Sequence, residues 1–331
     1  MAKSWTAAEL MEAVRAFQPA CVITAAADLN VFTALDGQPM TVLMLAARIG
    51  GHPRATTILL DALVALELLE KDRDAYAVPR RVAELLSEKS PVNILPGVRH
   101  QANCLRRWVQ LAQVVQKGEP AERRPSVRGP QADCEAFIGA MNTFNVATAP
   151  SVVARLEPLR FQRLLDIGGA SGTWTIAFLL AVPEATAVLF DLPEVIPLAE
   201  KRLTAAHLID RVTLVPGDYN FDEMPSGADL AWLSAVAHQN SREQNRALFA
   251  KVHAALAAEG SLVIRDIVME TSRTRPALGA MFAVNMLVGT EGGNSYTFDE
   301  YRDDLIRSGF AEIELLYQDE GMSSLIRAKR S

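Results

Sequence analysis

Cysteine is scarce in this 331-residue chain, aromatic residues make up 6%, and no long apolar run occurs. The three cysteines, Cys21, Cys104 and Cys134, are scattered, odd in number and without a C-x-x-C pair. That excludes a disulfide framework and a cysteine-based zinc site; it suits the reduced thiols of a cytoplasmic protein, and no metal is expected. No segment approaches the roughly 18 uninterrupted apolar residues that a membrane span requires, so no membrane partner is expected. The N-terminal stretch MAKSWTAAELMEAVRAF carries Glu9 and Glu12 and reads as an amphipathic helix rather than a signal peptide. Positive charge is not in excess either: 33 Lys and Arg against 39 Asp and Glu leave a net charge of −6, which argues against a nucleic-acid surface. Internal repeats, low-complexity tracts and the G-x-G-x-x-G fingerprint of dinucleotide folds are all missing.

What is present is an ordinary globular composition, half hydrophobic and 22% charged, in a chain long enough for two domains. Its organising stretch is residues 164–193, LLDIGGASGTWTIAFLLAVPEATAVLFDLP. An apolar run ends in Asp166 and a glycine turn, and Trp174, Ile176, Ala177, Leu180 and Ala181 then recur at helical spacing. A second apolar run ends in Asp191 and Leu192-Pro193. Strand, helix and strand of this kind deliver two carboxylates to one edge of a parallel sheet. Gly168, Gly169 and Gly172 let the backbone approach a ligand closely, and Asp191, roughly 20 residues past the turn, is placed to accept hydrogen bonds from ribose hydroxyls. Asp166 at the same edge would repel a diphosphate and suits a cationic nucleoside cofactor.

Downstream, helix 195–206, strand 212–215, strand 230–233, helix 242–256 and strand 262–267 continue the alternation. Helices 278–288 and 298–308 precede a closing pair of strands near 313–317 and 324–327. This pattern predicts an α/β domain with a mostly parallel sheet covered on both faces. A third acid, Asp218, follows the third strand in Gly217-Asp218-Tyr219; Gly-Asp is also ordinary turn chemistry, but three acids after three consecutive strands favour a ligand edge. His238 follows the fourth strand, just ahead of a helix opened by Ser241 with Gln244 at capping-box spacing.

The motifs DIGGASG at 166–172, FDLP at 190–193, GDY at 217–219, His238 and Gly292-Gly293, in this order, resemble those of the class I S-adenosylmethionine-dependent small-molecule O-methyltransferases. Members of that family carry a winged-helix dimerisation domain ahead of a Rossmann-like catalytic domain. The resemblance implies S-adenosylmethionine as cofactor, a seven-stranded mostly parallel sheet whose last strand is antiparallel, and a homodimer. It covers most of the chain and is strongest over residues 164–310. It further implies that Asp166, Gly168, Gly169, Gly172, Asp191, Leu192, Asp218, Tyr219 and Ser234 bind the cofactor, with Asp218 on the adenine amino group and Tyr219 against the ring. His238 would deprotonate the acceptor hydroxyl, for which imidazole, with an unperturbed pKa of about 6.5, is suited. Asp266 matches the family's acidic partner of that base.

The sequence departs from the family pattern at four places. The family's His-Asp-Trp is His238-Gln239-Asn240, a cofactor-contacting Lys is Ser234, a second Glu after the paired glycines is Ser295, and Ala170 replaces a glycine. The base therefore has fewer acidic neighbours than in well-known members.

The N-terminal third reads as helices over 6–35, 41–49 and 54–69 followed by a short ribbon at Tyr76-Ala77-Val78, a winged-helix pattern. The alternative of a DNA-binding helix-turn-helix is opposed by the apolar segment 55–69 with its Asp61, Glu67 and adjoining Glu70, which phosphates would repel. Burial against a partner subunit is the better account. Arg123, Arg124 and Arg128 lie in a polar loop that reads as a solvated linker. Helical periodicity resumes over 134–149, where the resemblance implies a cap on the active site. The expected organisation is a dimerisation domain at 1–90, a helical linker at 91–150 and a catalytic domain at 151–331.

Met141, Phe144, Asn145, Met281, Phe282, Asn285 and Met286 are expected to line the substrate pocket, since thioether and aromatic walls with a few amides suit a flat hydroxylated aromatic molecule. Helical spacing on a buried face gives much the same set, so core packing stays open for them. Two other functions stay open as well: a cofactor-binding protein on this scaffold with changed or lost chemistry, and a winged-helix regulator with a ligand-sensing second domain. A nicotinamide-dependent oxidoreductase is disfavoured by Asp166 and the missing fingerprint.

Overall fold

A computed structural model describes residues 3–330, so Met1, Ala2 and Ser331 of the expected N- and C-terminal segments lie outside the described residues. The chain divides into two compact units: residues up to Arg106 with Arg123–Thr143, and Arg107–Glu122 with the residues from Phe144 onward.

In the first unit the periodic stretch 6–35 is broken into three helices, Ala7–Arg15, Phe17–Asp28 and Val31–Leu35. The second break falls at Asn30, which adopts a left-handed φ of 59°, a conformation asparagine tolerates better than most residues. Helices Val42–Ile49 and Pro53–Ala65 follow, the first capped by Thr41 and the second opened by a proline that needs no hydrogen-bond acceptor there. The expected ribbon is three-stranded: Ala75–Ala77 pairs antiparallel with Glu70–Asp72 on one side and Met40–Thr41 on the other. Phe32, Leu35, Leu45, Leu60, Leu63 and Tyr76 form the buried centre of this unit. Helix Arg80–Leu86 is an element that the sequence reading did not assign, and helix Leu95–Trp108 falls within the segment 91–150 expected to be helical, its last two residues belonging to the second unit.

The second unit is built on seven strands: β1 (Arg163–Ile167), β2 (Thr186–Asp191), β3 (Val212–Pro216), β4 (Ala228–Ser234), β5 (Leu256–Asp266), β6 (Phe310–Tyr317) and β7 (Ser324–Arg330). Their order across the sheet is β6-β7-β5-β4-β1-β2-β3, parallel from β5 to β3 and antiparallel on both sides of β7. This is the expected Rossmann-like fold with its closing antiparallel pair. The central strands are continuous apolar runs because both faces are covered. On one face Leu165, Ile167, Phe190 and Leu233 pack beneath helix α3 (Arg242–Ala255), and on the other Leu164, Leu189, Trp232 and Val263 pack with helix α1 (Thr173–Ala181). Trp232 is fully buried, with the rings of Trp174 and Phe178 each 5.0 Å away. Strand β5 starts at Leu256, earlier than its apolar run suggests, because Ala228 at the start of β4 offers Leu256 a pairing partner.

Among the described residues no helix is long and apolar enough to cross a membrane, and no group of three or more His, Cys, Asp and Glu side chains is arranged to hold a metal ion.

Candidate active site

The C-terminal ends of β1, β2 and β3 bring the three acids to one edge. Gly168, at φ 66°, donates its N–H to the Phe190 carbonyl at 2.8 Å, tying the glycine turn to β2. A Cβ at Gly169 would lie 2.6 Å from the Leu189 side chain, so a larger residue in the turn would have to push that side chain aside. Gly172, at φ 78°, opens helix α1. Ala170 stands where a glycine is usual and still takes a left-handed φ of 48°. Its N–H is free to donate 2.7 Å to Asp191 Oδ2, while Leu192 N–H donates 2.7 Å to Oδ1. Burial pushes the Asp191 carboxyl above the usual range against these two hydrogen bonds.

Asp166 is 1% exposed and accepts from the Thr175 N–H at 3.1 Å and the Thr175 hydroxyl at 2.6 Å. Burial, and secondarily the Asp191 charge, push its carboxyl up to about 7. Thr175 was not foreseen, since nothing in a threonine nine residues after an aspartate marks the pair. Arg202, on helix α2 (Ile196–Ala205), braces the back of the turn by donating to the Ser171 carbonyl, the Ser171 hydroxyl and the Thr173 hydroxyl.

Asp218 caps its own turn, accepting from Asn220 N–H at 2.8 Å, and Gly217 N–H donates to the Asp191 carbonyl at 2.9 Å. Tyr219 packs beside the core; burial, with the charges of Asp218 and Asp191, holds its hydroxyl up to about 12. The Asp191 charge acts on Asp166 and, together with that of Asp218, on Tyr219, and none of the three acids forms an ion pair among the described residues. An edge with three carboxylates and no paired cation accepts hydroxyl and amino donors and favours a positive ligand, while a diphosphate would be repelled. These residues fit an adenosyl sulfonium.

His238 lies on a short 3₁₀ turn after β4 and is 5% exposed. Its Nδ1–H donates to Asp266, the last residue of β5, at 2.8 Å from Oδ1 and 3.0 Å from Oδ2, and its backbone N–H donates to Oδ2 at 3.2 Å. Asp266 Oδ1 also accepts the Ile267 N–H at 2.8 Å, so the carboxylate is fixed before it holds the ring. With Nδ1 committed, Nε2 is the nitrogen left to take a proton. Gly292 and Gly293 pack directly on this turn: a Cβ at Gly293 would lie 2.5 Å from the His238 carbonyl, and one at Gly292 would lie 2.8 Å from Ser241 Cβ. The Asn294 N–H donates to the same His238 carbonyl at 2.9 Å, and the Tyr296 hydroxyl to the Asn240 carbonyl at 2.5 Å.

At the departures from the family pattern, the polar replacements make local bonds. Gln239 donates to the Ala235 carbonyl at 3.1 Å, Asn240 to Asn245 at 3.2 Å, and the Ser295 hydroxyl to the Gly279 carbonyl at 2.9 Å. Ser234 accepts a hydrogen bond of 3.1 Å from Arg265, a buried arginine that was not foreseen. An arginine inside the apolar run SLVIRDIV was the available signal for it.

Of the expected pocket residues, helix α4 (Ala277–Gly289) carries four. Phe282 meets the His238 ring edge to face at 4.7 Å, and Asn285 Oδ1 accepts from Trp108 Nε1 at 2.9 Å. Met281 is exposed and Met286 buried. Phe144, exposed, and Asn145, buried, belong to the second unit, whereas Met141 belongs to the first.

Residues 128–311 match the O-methyltransferase domain family, and residues 9–87 match the O-methyltransferase dimerisation domain. The chain is 30% identical to the tetracenomycin polyketide synthesis 8-O-methyl transferase TcmO of Streptomyces glaucescens, over 92% of this chain and 91% of that protein. It is likewise 30% identical to the 3-hydroxy-5-methyl-1-naphthoate 3-O-methyltransferase of Streptomyces sahachiroi, over 88% and 86%. Among solved structures it is similar to LaPhzM, with a TM-score of 0.84 at 26% identity over 97% of this chain and 98% of that one. Two matched domains that together span most of the sequence, around a glycine turn, three carboxylates and a His–Asp pair, make this chain a member of the O-methyltransferase family and an S-adenosylmethionine-dependent methyltransferase.

Proposed function

We propose that the chain transfers a methyl group to a hydroxyl of a small aromatic metabolite, with His238 as the general base. The observation that carries this reading is the buried pair in which Asp266 fixes His238 Nδ1–H at 2.8 Å and leaves Nε2 to accept a proton. S-adenosylmethionine supplies, when bound, a sulfonium methyl already activated toward a nucleophile. Asp191 would hold the ribose hydroxyls, Asp218 the adenine amino group and Tyr219 the ring, while Gly168, Gly169, Gly172 and Leu192 line the approach. Asp166 supports the turn through Thr175. As the hydroxyl proton passes to Nε2, Asp266 stabilises the imidazolium, an arrangement of the kind that contributes about 10² to 10⁴-fold. Phe282, Met281, Asn285 and Met286 of α4, with Phe144 and Asn145, would enclose the acceptor and exclude water.

An aromatic acceptor is favoured by relatives named for a polyketide and a naphthoate. Relatives named as an N,N-dimethyltransferase and an L-tyrosine C(3)-methyltransferase mean that the scaffold alone does not choose the acceptor atom. A base poised to take a proton favours oxygen here. Incubating the protein with S-adenosylmethionine and matched phenols and anilines, and identifying products by mass and NMR, tests this. Methyl ethers are expected; methylamines alone would overturn the choice of oxygen.

The same reading includes a homodimer in the cytoplasm. Helix Ala7–Arg15 buries none of its residues, and Leu10, Met11, Val14 and Phe17 are exposed, an apolar face that a second copy would cover. Light scattering should give twice the 36.0 kDa chain mass.

A further inference from the structure

Arg265 is 3% exposed, yet most of its hydrogen-bonding capacity is unused. Of five guanidinium N–H groups, one Nη1 donor reaches Ser234 Oγ at 3.1 Å and one Nη2 donor reaches Ser323 Oγ at a long 3.5 Å. Nε is buried without a partner. No carboxylate among the described residues comes within ion-pair distance of it. The two acids whose charges act on it most are otherwise engaged: Asp266 by His238 and Ile267, Asp319 by the N–H groups of Gly321 and Ser323. Burial lowers the guanidinium to about 10. A buried cation left with a face of π-electrons and two hydroxyls is costly unless something negative meets it.

Its position says where that would be. Arg265 sits one residue before the end of β5 and pairs in register with Ser234, the last residue of β4. Its guanidinium lies 4.6 Å from the ring of Trp174, in the first turn of the helix that leaves the glycine turn. The cation therefore stands where three ligand-bearing elements of the sheet edge converge.

We propose that Arg265 is a carboxylate-binding residue of this active site, with Ser234 as its orienting hydroxyl. The carboxylate is either that of the cofactor's amino-acid moiety or an acid group on the acceptor; both present the same planar, bidentate chemistry to the fork. The inference rests on the methyltransferase reading of the site, and the experiment separates the two.

Calorimetry compares S-adenosylhomocysteine, its carboxamide and 5′-methylthioadenosine, which has no carboxylate, on the wild type, Arg265→Gln and Arg265→Lys. If none of the three ligands binds the wild type, the reading of the site itself fails. For a cofactor carboxylate, the wild type prefers the acid to the amide by about tenfold or more, Arg265→Gln loses that preference, and methylthioadenosine binds all three proteins alike. For an acceptor carboxylate, the cofactor preference is absent and the wild type binds a phenolic acid more tightly than its amide, a difference that Arg265→Gln abolishes. Arg265→Lys keeps the charge and should retain part of either preference, which also decides the matter should the Gln variant fail to fold. Preferences absent from the wild type, or unchanged in the variants, overturn the proposal.

Discussion

His238 Nδ1 lies 2.8 Å from Asp266 Oδ1, across the ends of two adjacent parallel strands, and the same carboxylate holds the His238 backbone N–H. Side chain and main chain of His238 are thus fixed by one group. Asp266→Asn keeps the shape but offers an amide that can favour the wrong tautomer, so turnover should fall by about 10² to 10⁴-fold while S-adenosylhomocysteine affinity stays within about twofold. Steady-state rates paired with calorimetry read this; equal rates would remove Asp266 from the proton path.

Gly293 has no room for a side chain, with the His238 carbonyl 2.5 Å and the Thr290 hydroxyl 2.4 Å from the place of a Cβ. Gly293→Ala should lower stability by about 1–3 kcal/mol and reduce turnover by displacing the His238 peptide. Urea unfolding and rate measurements check both, and a fully active, equally stable variant would contradict the packing described.

Asp191 joins β2 to the glycine turn through the N–H groups of Ala170 and Leu192. Asp191→Ala should weaken S-adenosylhomocysteine binding by about 10- to 100-fold by removing a charged acceptor from the ligand edge. Unaltered affinity in calorimetry would shift the ribose site elsewhere.

The Asp166 carboxyl, raised to about 7 by burial, gives a pH signature. In an unfolded chain it titrates near about 3.9, so between these values the folded protein holds a proton that the unfolded chain has lost. Its contribution to stability is therefore fully present at about pH 4 and below and declines as pH rises through 7, by up to about 4 kcal/mol in the absence of cofactor. Asp166→Asn should flatten that decline in urea unfolding between pH 4 and 8. Parallel slopes would show that Asp166 stays ionised in the folded state.

The catalytic sheet was legible because its central strands are buried on both faces and so read as apolar runs, broken by Arg265 in β5. Asp166, Asp191 and Asp218 stand at or just past those strand ends, where position suggests a ligand edge, whereas the roles of His238 and Asp266 follow only from the resemblance to the family. Less legible were residues that act through contacts far apart in sequence. Thr175 matters because it folds back on Asp166, and Gly293 because it lies against a turn 55 positions earlier, neither spacing being a motif. The stretch 6–35 looked continuous because Asn30 breaks a helix by its own backbone conformation without interrupting apolar periodicity. Met141, Met286 and their neighbours share an apolar helical pattern with ordinary core, and pattern alone cannot divide pocket from packing.

The central claim is that His238 takes the acceptor's proton. Single-turnover methyl transfer by His238→Ala, with cofactor prebound and a phenol that the wild type methylates, tests it most directly. A rate lower by about 10² to 10⁴-fold, with S-adenosylhomocysteine affinity preserved, is the predicted result. An unchanged rate would mean that His238 is a packed loop residue and that the hydroxyl loses its proton by another route.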